Sequence, residues 1–107
     1  MVKSQIVASC KLACRVSSNA LDGEFEELID AAFLDLEISG VADVNGQPYT
    51  VTSADQLVIT AVKTYVKLNL GDVLENTEAE RLTRSYEMQK AQLKMRNHSS
   101  SVISEES

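Results

Sequence analysis

The sequence contains few of the residues that interrupt helices or build special sites. Its 107 residues include one proline, four glycines, two cysteines, one histidine and no tryptophan. So few helix breakers among many helix-forming residues favour a mostly α-helical fold. Two cysteines and one histidine are also too few for a typical zinc site. A chain of this length is expected to form one domain with its own core.

Long apolar runs are absent as well. No run is long enough to span a bilayer, and the first residues lack the apolar core of a signal peptide, so we expect a soluble protein that contacts no membrane. Bases are missing from residues 16–62, which carry nine acids, whereas residues 1–15 carry three bases and no acid. This segregation suits a protein that meets copies of itself or a partner through complementary faces. It argues against a duplex-binding module, which would show a basic patch.

The most apolar helical segment lies between Ser53 and Gly71. At helical spacing its apolar side chains cover more than half of the cylinder, which is typical of a central helix that other elements must cover. These apolar residues are Leu57, Val58, Ala61, Val62, Tyr65, Val66 and Leu68, and the polar stripe holds Gln56, Thr60, Lys63, Thr64 and Lys67. Ser53 and Gln56 have the spacing of a capping box. We predict a helix over 54–70, with Leu57, Val62 and Tyr65 in the core.

Three further helices are predicted, over residues 4–14, 22–39 and 77–96, because each segment has an apolar stripe at helical spacing. The stripes consist of Ile6, Cys10, Ala13 and Cys14; of Phe25, Leu28, Ile29, Ala32 and Leu36; and of Ala79, Leu82, Tyr86 and Leu93. Between the second and third helices, Asn45-Gly46 and Pro48 predict a small hairpin or an extended loop over 41–52. The predicted fold is therefore all-α, with a four-helix domain over 1–96 and an extended C-terminal tail over 97–107.

Two residue groups could carry chemistry, and each also has a structural explanation. Cys10 and Cys14 could hold a metal or a redox centre, but further ligands are lacking, so two small buried thiols explain them better. The acids of the second helix could act as an acid–base pair, but no cleft or partner group accompanies them, so a solvated or partner-facing stripe explains them better. We therefore expect no enzyme activity, no catalytic residue, no metal and no cofactor.

The acidic stripe predicts a contact between copies of the chain. We expect the helix over 22–39 of one copy to lie against a neighbouring copy, with bases from the last helix among the opposing residues. Phe33 and Leu34 lie beside the acids and would supply apolar adhesion. The candidate interface residues are Glu26, Asp30, Phe33, Leu34, Glu37, Arg81, Arg84, Lys90 and Lys94.

Six short segments follow one another over residues 6–95: KLACR at 11–15, LIDAA at 28–32, DLEISGV at 35–41, AVKTYV at 61–66, EAERL at 78–82 and SYEM at 85–88. As an ordered set they resemble the small head-to-tail connector (adaptor) proteins of tailed bacteriophages, often labelled DNA-packaging proteins. Two parts depart from the resemblance. The segment 41–52 is longer than expected for the family, and the tail matches no part of the pattern.

The resemblance implies a structural virion protein of the neck, assembled in the host cytoplasm. It would form a ring, usually a dodecamer, that joins the capsid portal to a tail-side neck or stopper protein and extends the DNA channel without sequence-specific DNA binding. The composition of the C-terminal tail cannot form a core of its own, so we expect the tail to dock on another protein, and the resemblance implies the portal. The candidate contacts are Arg96, His98, Val102 and Ile103, and the alternative is a tail folded back on its own subunit. The alternative function is a small helical DNA-binding or regulatory protein, which should show a basic recognition helix.

Overall fold

The computed structural model describes residues 2–70 and 76–106, and within helix 76–106 it describes the side chains of residues 77–96. In these residues it contains four helices and no strand, which confirms the all-α prediction. The helices are α1 (Lys3–Ala13), α2 (Asp22–Ile38), α3 (Gln56–Asn69) and α4 (Asn76–Glu106). Helix α3 contacts each of the other three, so the prediction of a central third helix is confirmed.

Helices α1 and α2 end in the same capping arrangement. After α2, Gly40 has φ +91° and donates to the Glu37 carbonyl, and the Val41 N–H donates to the Leu36 carbonyl. After α1, Arg15 takes the left-handed position at φ 58° instead of a glycine. These paired bonds form the Schellman motif, which satisfies carbonyls that a helix end leaves without partners. The motif turns the chain so that Val41 joins the core.

The core is built from one apolar stripe of each helix. Its fully buried members include Ile6 of α1, Phe25 and Ile29 of α2 and Val62 of α3, and α4 adds Leu82, Tyr86 and Leu93. The apolar stripes predicted for α1, α2 and α4 supply most of these residues. Burying such side chains is the main source of stability, at about 1.5–3 kcal/mol for each large one.

Two details predicted for the central helix are wrong. Leu57 was predicted in the core, but 53% of it is exposed, and Ile59, which the pattern did not select, is buried. The reason is that no other helix covers the Leu57 side of α3 completely. The N-cap is Asp55, whose Oδ1 accepts from the Val58 N–H at 3.1 Å, while Ser53 bonds to Thr50.

The segment over 41–52 forms a compact loop. Asp43 closes a turn to Gly46, which has φ +78°, and its carboxylate accepts from the N–H groups of Asn45 and Gln47. The predicted turn at Asn45-Gly46 is confirmed, and no strand pairing accompanies it in the described residues. Tyr49 and Val51 then pack against the core, which holds the loop on its own subunit.

The predicted extended tail is wrong for residues 97–106, because α4 continues through Glu106. No glycine or proline follows Arg96. Continuing an existing helix also avoids the cost of nucleating a new one, so a serine-rich sequence can remain helical. The side chains of His98, Val102 and Ile103, and residue 107, lie outside the described part of the chain, as does the Gly71 end of the central segment.

Candidate interaction surfaces

The outer side of α2 is both acidic and apolar. Glu26, Asp30 and Glu37 are exposed there, as the sequence predicted. Leu34 and Ile38 lie one turn apart on the same side, with exposed fractions of 55% and 75%. Two large apolar side chains within a row of carboxylates are typical of a surface that another protein covers. Phe33 is half-buried and packs against the core, so it lies at the edge of this surface.

The carboxylates of α2 divide into two groups. The three aspartates are paired within the subunit: Asp22 with Lys11 at 2.8 Å, Asp30 with Lys3 at 2.8 Å, and Asp35 with Lys90 at 3.4 Å. These pairs tie α2 to α1 and α4. By contrast, the four glutamates form no ion pair with any side chain that the structure describes, so their charges are available to a partner: Glu24, Glu26, Glu27 and Glu37.

Lys90 belongs to a polar cluster between α2 and α4. The Tyr86 hydroxyl donates to Asp35 Oδ2 at 2.5 Å, and Lys90 Nζ lies 3.4 Å from the same oxygen and 3.3 Å from Ser39 Oγ. Burial, and then the bond to Asp35, raises the pKa of Tyr86 well above its ordinary value. Lys90 therefore makes these contacts within its own subunit, although the sequence pattern predicted it at the subunit interface.

The outer side of α4 carries a stripe of bases and methionines, here called the outer stripe: Arg81, Arg84, Met88, Ala91 and Met95. Met88 and Met95 are 57% and 67% exposed. Successive members are three or four residues apart, the spacing at which one helix face meets another helix. The helical backbone continues this register to positions 98 and 102. Lys94 lies off the stripe and reaches towards Gly40 at the end of α2.

Arg96 fastens α4 to the loop before α3. Its Nη1 donates to Asp55 Oδ2 and its Nη2 donates to the Tyr49 hydroxyl, each at 2.9 Å. Asp55 is also the N-cap of α3, so one guanidinium fixes the loop, the start of α3 and the last turn of α4 with described side chains. The sequence pattern assigned Arg96 to the portal-binding tail, whereas this geometry gives it a structural role.

The cysteines form no cluster with other metal-ligating residues in the described parts of the chain. Cys10 is fully buried, and burial raises the pKa of its thiol to about 12. A thiol that stays protonated at neutral pH is neither a good nucleophile nor a good metal ligand. The position of Cys10 in the core fits the prediction of a buried thiol, whereas Cys14, predicted to be buried as well, is only partly buried.

The sequence pattern assigned Lys63 and Lys67 to no candidate site. Lys63 and Lys67 lie on the polar stripe of α3, which sequence periodicity presents as solvent-facing. In the structure this stripe is the floor of a groove between α1 and α4, together with Arg81. A sequence signal did exist: these are the first bases after the long acidic segment.

Residues 6–100 match the family of phage connector proteins. The match covers most of the chain, which therefore belongs to that family. The comparison with curated proteins and the comparison with solved structures found no match. As a member of this family, the chain is a structural component of the phage virion that associates with portal and tail components. Among the described helices, none has the length and apolar character needed to span a membrane.

Proposed function

We propose that copies of this chain form a closed ring, through head-to-tail contacts and not through symmetric pairing, that joins the capsid portal to the phage tail and extends the DNA channel. The observation that supports the proposal most strongly is the outer side of α2, where Leu34 and Ile38 are exposed among unpaired glutamates. A ring requires two unlike surfaces that fit each other on adjacent copies. The acidic side of α2 supplies one of them.

The bases at the start of α4 supply part of the other surface. Arg81 and Arg84 are exposed, and the only carboxylate that Arg81 approaches among the described side chains is Glu78, at 3.7 Å. Each exposed ion pair is worth about 0–1 kcal/mol, so charge sets the orientation of neighbouring copies. Burial of Leu34 and Ile38 supplies most of the adhesion.

The ring contact can be tested with substitutions that leave the core untouched. Leu34→Glu/Ile38→Glu should fold normally, because both side chains are exposed, and should lose assembly on portal-bearing, tailless capsids. The matched control is Val44→Glu, an exposed valine in the 41–52 loop. Co-sedimentation with capsids gives the readout. Wild-type loading by the double variant would remove the outer side of α2 from the interface.

The portal contact is assigned to the C-terminal part of α4, the segment predicted from the sequence to bind the portal. Its support is the length of the helix, which continues for ten residues beyond Arg96, the last residue with described side-chain contacts. An amphipathic helix binds a groove through residues spaced three and four apart. The outer stripe provides that spacing, and its register reaches the sequence positions of His98 and Val102. Ile103 follows directly.

Deleting residues 97–107 tests this assignment. The truncated chain keeps Arg96 and every described core residue, so its circular dichroism should show a folded domain. It should still contact other copies but sediment poorly with tailless capsids. Substituting Ser99, Ser100 and Ser101 with alanine is the control, because it preserves the helix and the candidate contacts. Normal capsid attachment by the truncated chain would contradict the assignment.

A further inference from the structure

A basic groove lies between α1 and α4, over the polar side of α3. It has a volume of about 270 Å³ and is lined by Ala13, Lys63, Lys67, Arg81, Leu82 and Ser85, together with two threonines of α3. Three of these side chains are cationic, although the whole chain has a net charge of −6. The apolar members, Ala13 of α1 and Leu82 of α4, belong to the two helices that border the polar stripe of α3.

The acids that the structure describes neutralise the cations of the groove only in part. The Glu78 carboxylate lies 3.9 Å from Lys67 Nζ and 3.7 Å from Arg81 Nη2, so one acid is shared by two bases at long range. Lys63 forms no ion pair with a described side chain. The hydroxyls of Thr60 and Thr64 already donate to carbonyls of their own helix. Ser85 Oγ accepts from Gln89 Nε2 and can still donate its hydrogen. The other side-chain donors available to a ligand are cationic, which selects an anionic partner.

We propose that this groove receives glutamates from the outer side of α2 of a neighbouring copy. The inference rests on the proposed ring and names the surface on which that ring closes. Charge complementarity supports it, because Glu26 and Glu37 are exposed and have no ion pair among the described side chains, and the groove holds excess positive charge.

The positions of the two surfaces also fit a ring. Helix α2 packs against α3, whose buried residues include Val58 and Val62. On a helix of 3.6 residues per turn, Lys63 and Lys67 lie about 100–180° around the axis from these two valines, on the flank and far side of α3. The acidic surface and the groove therefore lie on different sides of one subunit. This is the arrangement that head-to-tail contacts need in order to close a ring.

A protein occupant fits the groove better than duplex DNA does. A phosphate backbone is bound by a basic track that follows many phosphates, and single strands also use aromatic platforms. Among the side chains that the structure describes, the groove offers three cations, two flanking apolar residues and no aromatic ring. Its size suits a few acidic side chains presented by a helix.

Charge exchange between two variants tests the contact. The groove variant is Lys63→Glu/Lys67→Glu, and the helix variant is Glu26→Lys/Glu37→Lys; all four positions face solvent at least in part, so both chains should fold. Each variant alone should load onto portal-bearing, tailless capsids at least tenfold less than wild type. An equimolar mixture should recover loading, because each altered surface then meets its complement. Val44→Glu, in the 41–52 loop and outside both surfaces, is again the control and should load normally.

The outcomes separate this inference from the ring proposal. Normal loading by the groove variant, or failure of the mixture to recover, would overturn the groove assignment while wild-type rings persist. A wild-type chain that forms no ring on capsids would instead contradict the proposed function, and the groove assignment with it. If the groove variant loaded normally but no longer retarded duplex DNA in a gel shift, the groove would be a nucleic-acid site. The proposed contact between copies would then be wrong.

Discussion

The Tyr86 hydroxyl of α4 lies 2.5 Å from the Asp35 carboxylate of α2, and it donates its hydrogen to that carboxylate. Lys90, one turn further along α4, lies 4.6 Å from the centre of the Tyr86 ring and also contacts Asp35. This cluster joins the helix that carries the acidic surface to the helix that carries the outer stripe. It therefore sets the geometry between the two proposed contact surfaces.

Tyr86→Phe should reduce the free energy of unfolding by about 1–2 kcal/mol, because a partly buried carboxylate loses a hydrogen bond. Tyr65→Phe is the matched control, since the Tyr65 ring packs on Tyr86 and its hydroxyl makes no hydrogen bond to a described residue. Urea unfolding followed by circular dichroism measures both. Equal losses of unfolding free energy in the two variants would show that the hydrogen bond from Tyr86 to Asp35 adds no stability of its own.

The same variant should alter the pH dependence of stability. Burial and the Asp35 bond raise the pKa of Tyr86 in the folded state, whereas an unfolded tyrosine titrates at about 10. The unfolded chain therefore binds fewer protons above that pH, and stability falls as pH rises. The contribution is complete below about pH 10. Tyr86→Phe should make the alkaline decline shallower, and an unchanged decline would exclude Tyr86 as a cause.

Val62→Asp should prevent folding, because Val62 is completely buried and the new carboxylate would have no partner there. Leu57→Asp, five residues earlier in the same helix, should fold, since that side chain is half exposed. Helical circular dichroism and thermal unfolding distinguish the two. A Val62→Asp chain with wild-type stability would contradict the packing described for α3.

Gly40→Ala should destabilise the fold by roughly 1 kcal/mol, because φ is +91° and a Cβ is strained in that conformation. Gly23→Ala should stabilise it by about 0.4–1 kcal/mol, since Gly23 is helical and a Cβ there meets no atom within 4 Å. Opposite shifts in the unfolding midpoint are expected. A stabilising Gly40→Ala would contradict the left-handed cap.

Cys10 should resist alkylation in the folded protein, because its thiol is buried with a pKa of about 12, and should react after unfolding. Cys10→Ala should cost roughly 1–2 kcal/mol of packing and leave the helix content unchanged. Mass spectrometry after iodoacetamide treatment at pH 8, with and without urea, measures the protection. Stoichiometric zinc in the purified protein would contradict a purely structural role for the two cysteines.

The sequence predicted the helices well because apolar periodicity reports directly on buried faces. It failed where tertiary packing decides. Leu57 and Ile59 lie two residues apart on α3. Ile59 is buried and Leu57 is exposed because of where α1, α2 and α4 pack. The tail was assigned from composition, which cannot show that an existing helix continues through serines.

The candidate surfaces were predictable only in part. The charge pattern and the helical period predicted that the acids of α2 are exposed, and Leu34 is exposed beside them, as predicted. Lys90 could not be assigned, because its partner Asp35 lies 55 residues away in the sequence. Lys63 and Lys67 looked like an ordinary polar stripe. Only the gap between α1 and α4 turns that stripe into a groove.

The most direct test of the ring proposal is cryo-electron microscopy of portal-bearing, tailless capsids incubated with the purified chain. The expected result is one closed ring of copies beneath the portal, with the outer side of α2 in each copy against its neighbour and the C-terminal end of α4 towards the portal. Isolated copies scattered on the capsid, two-fold dimers, or a ring with α2 facing open solvent would contradict the proposal.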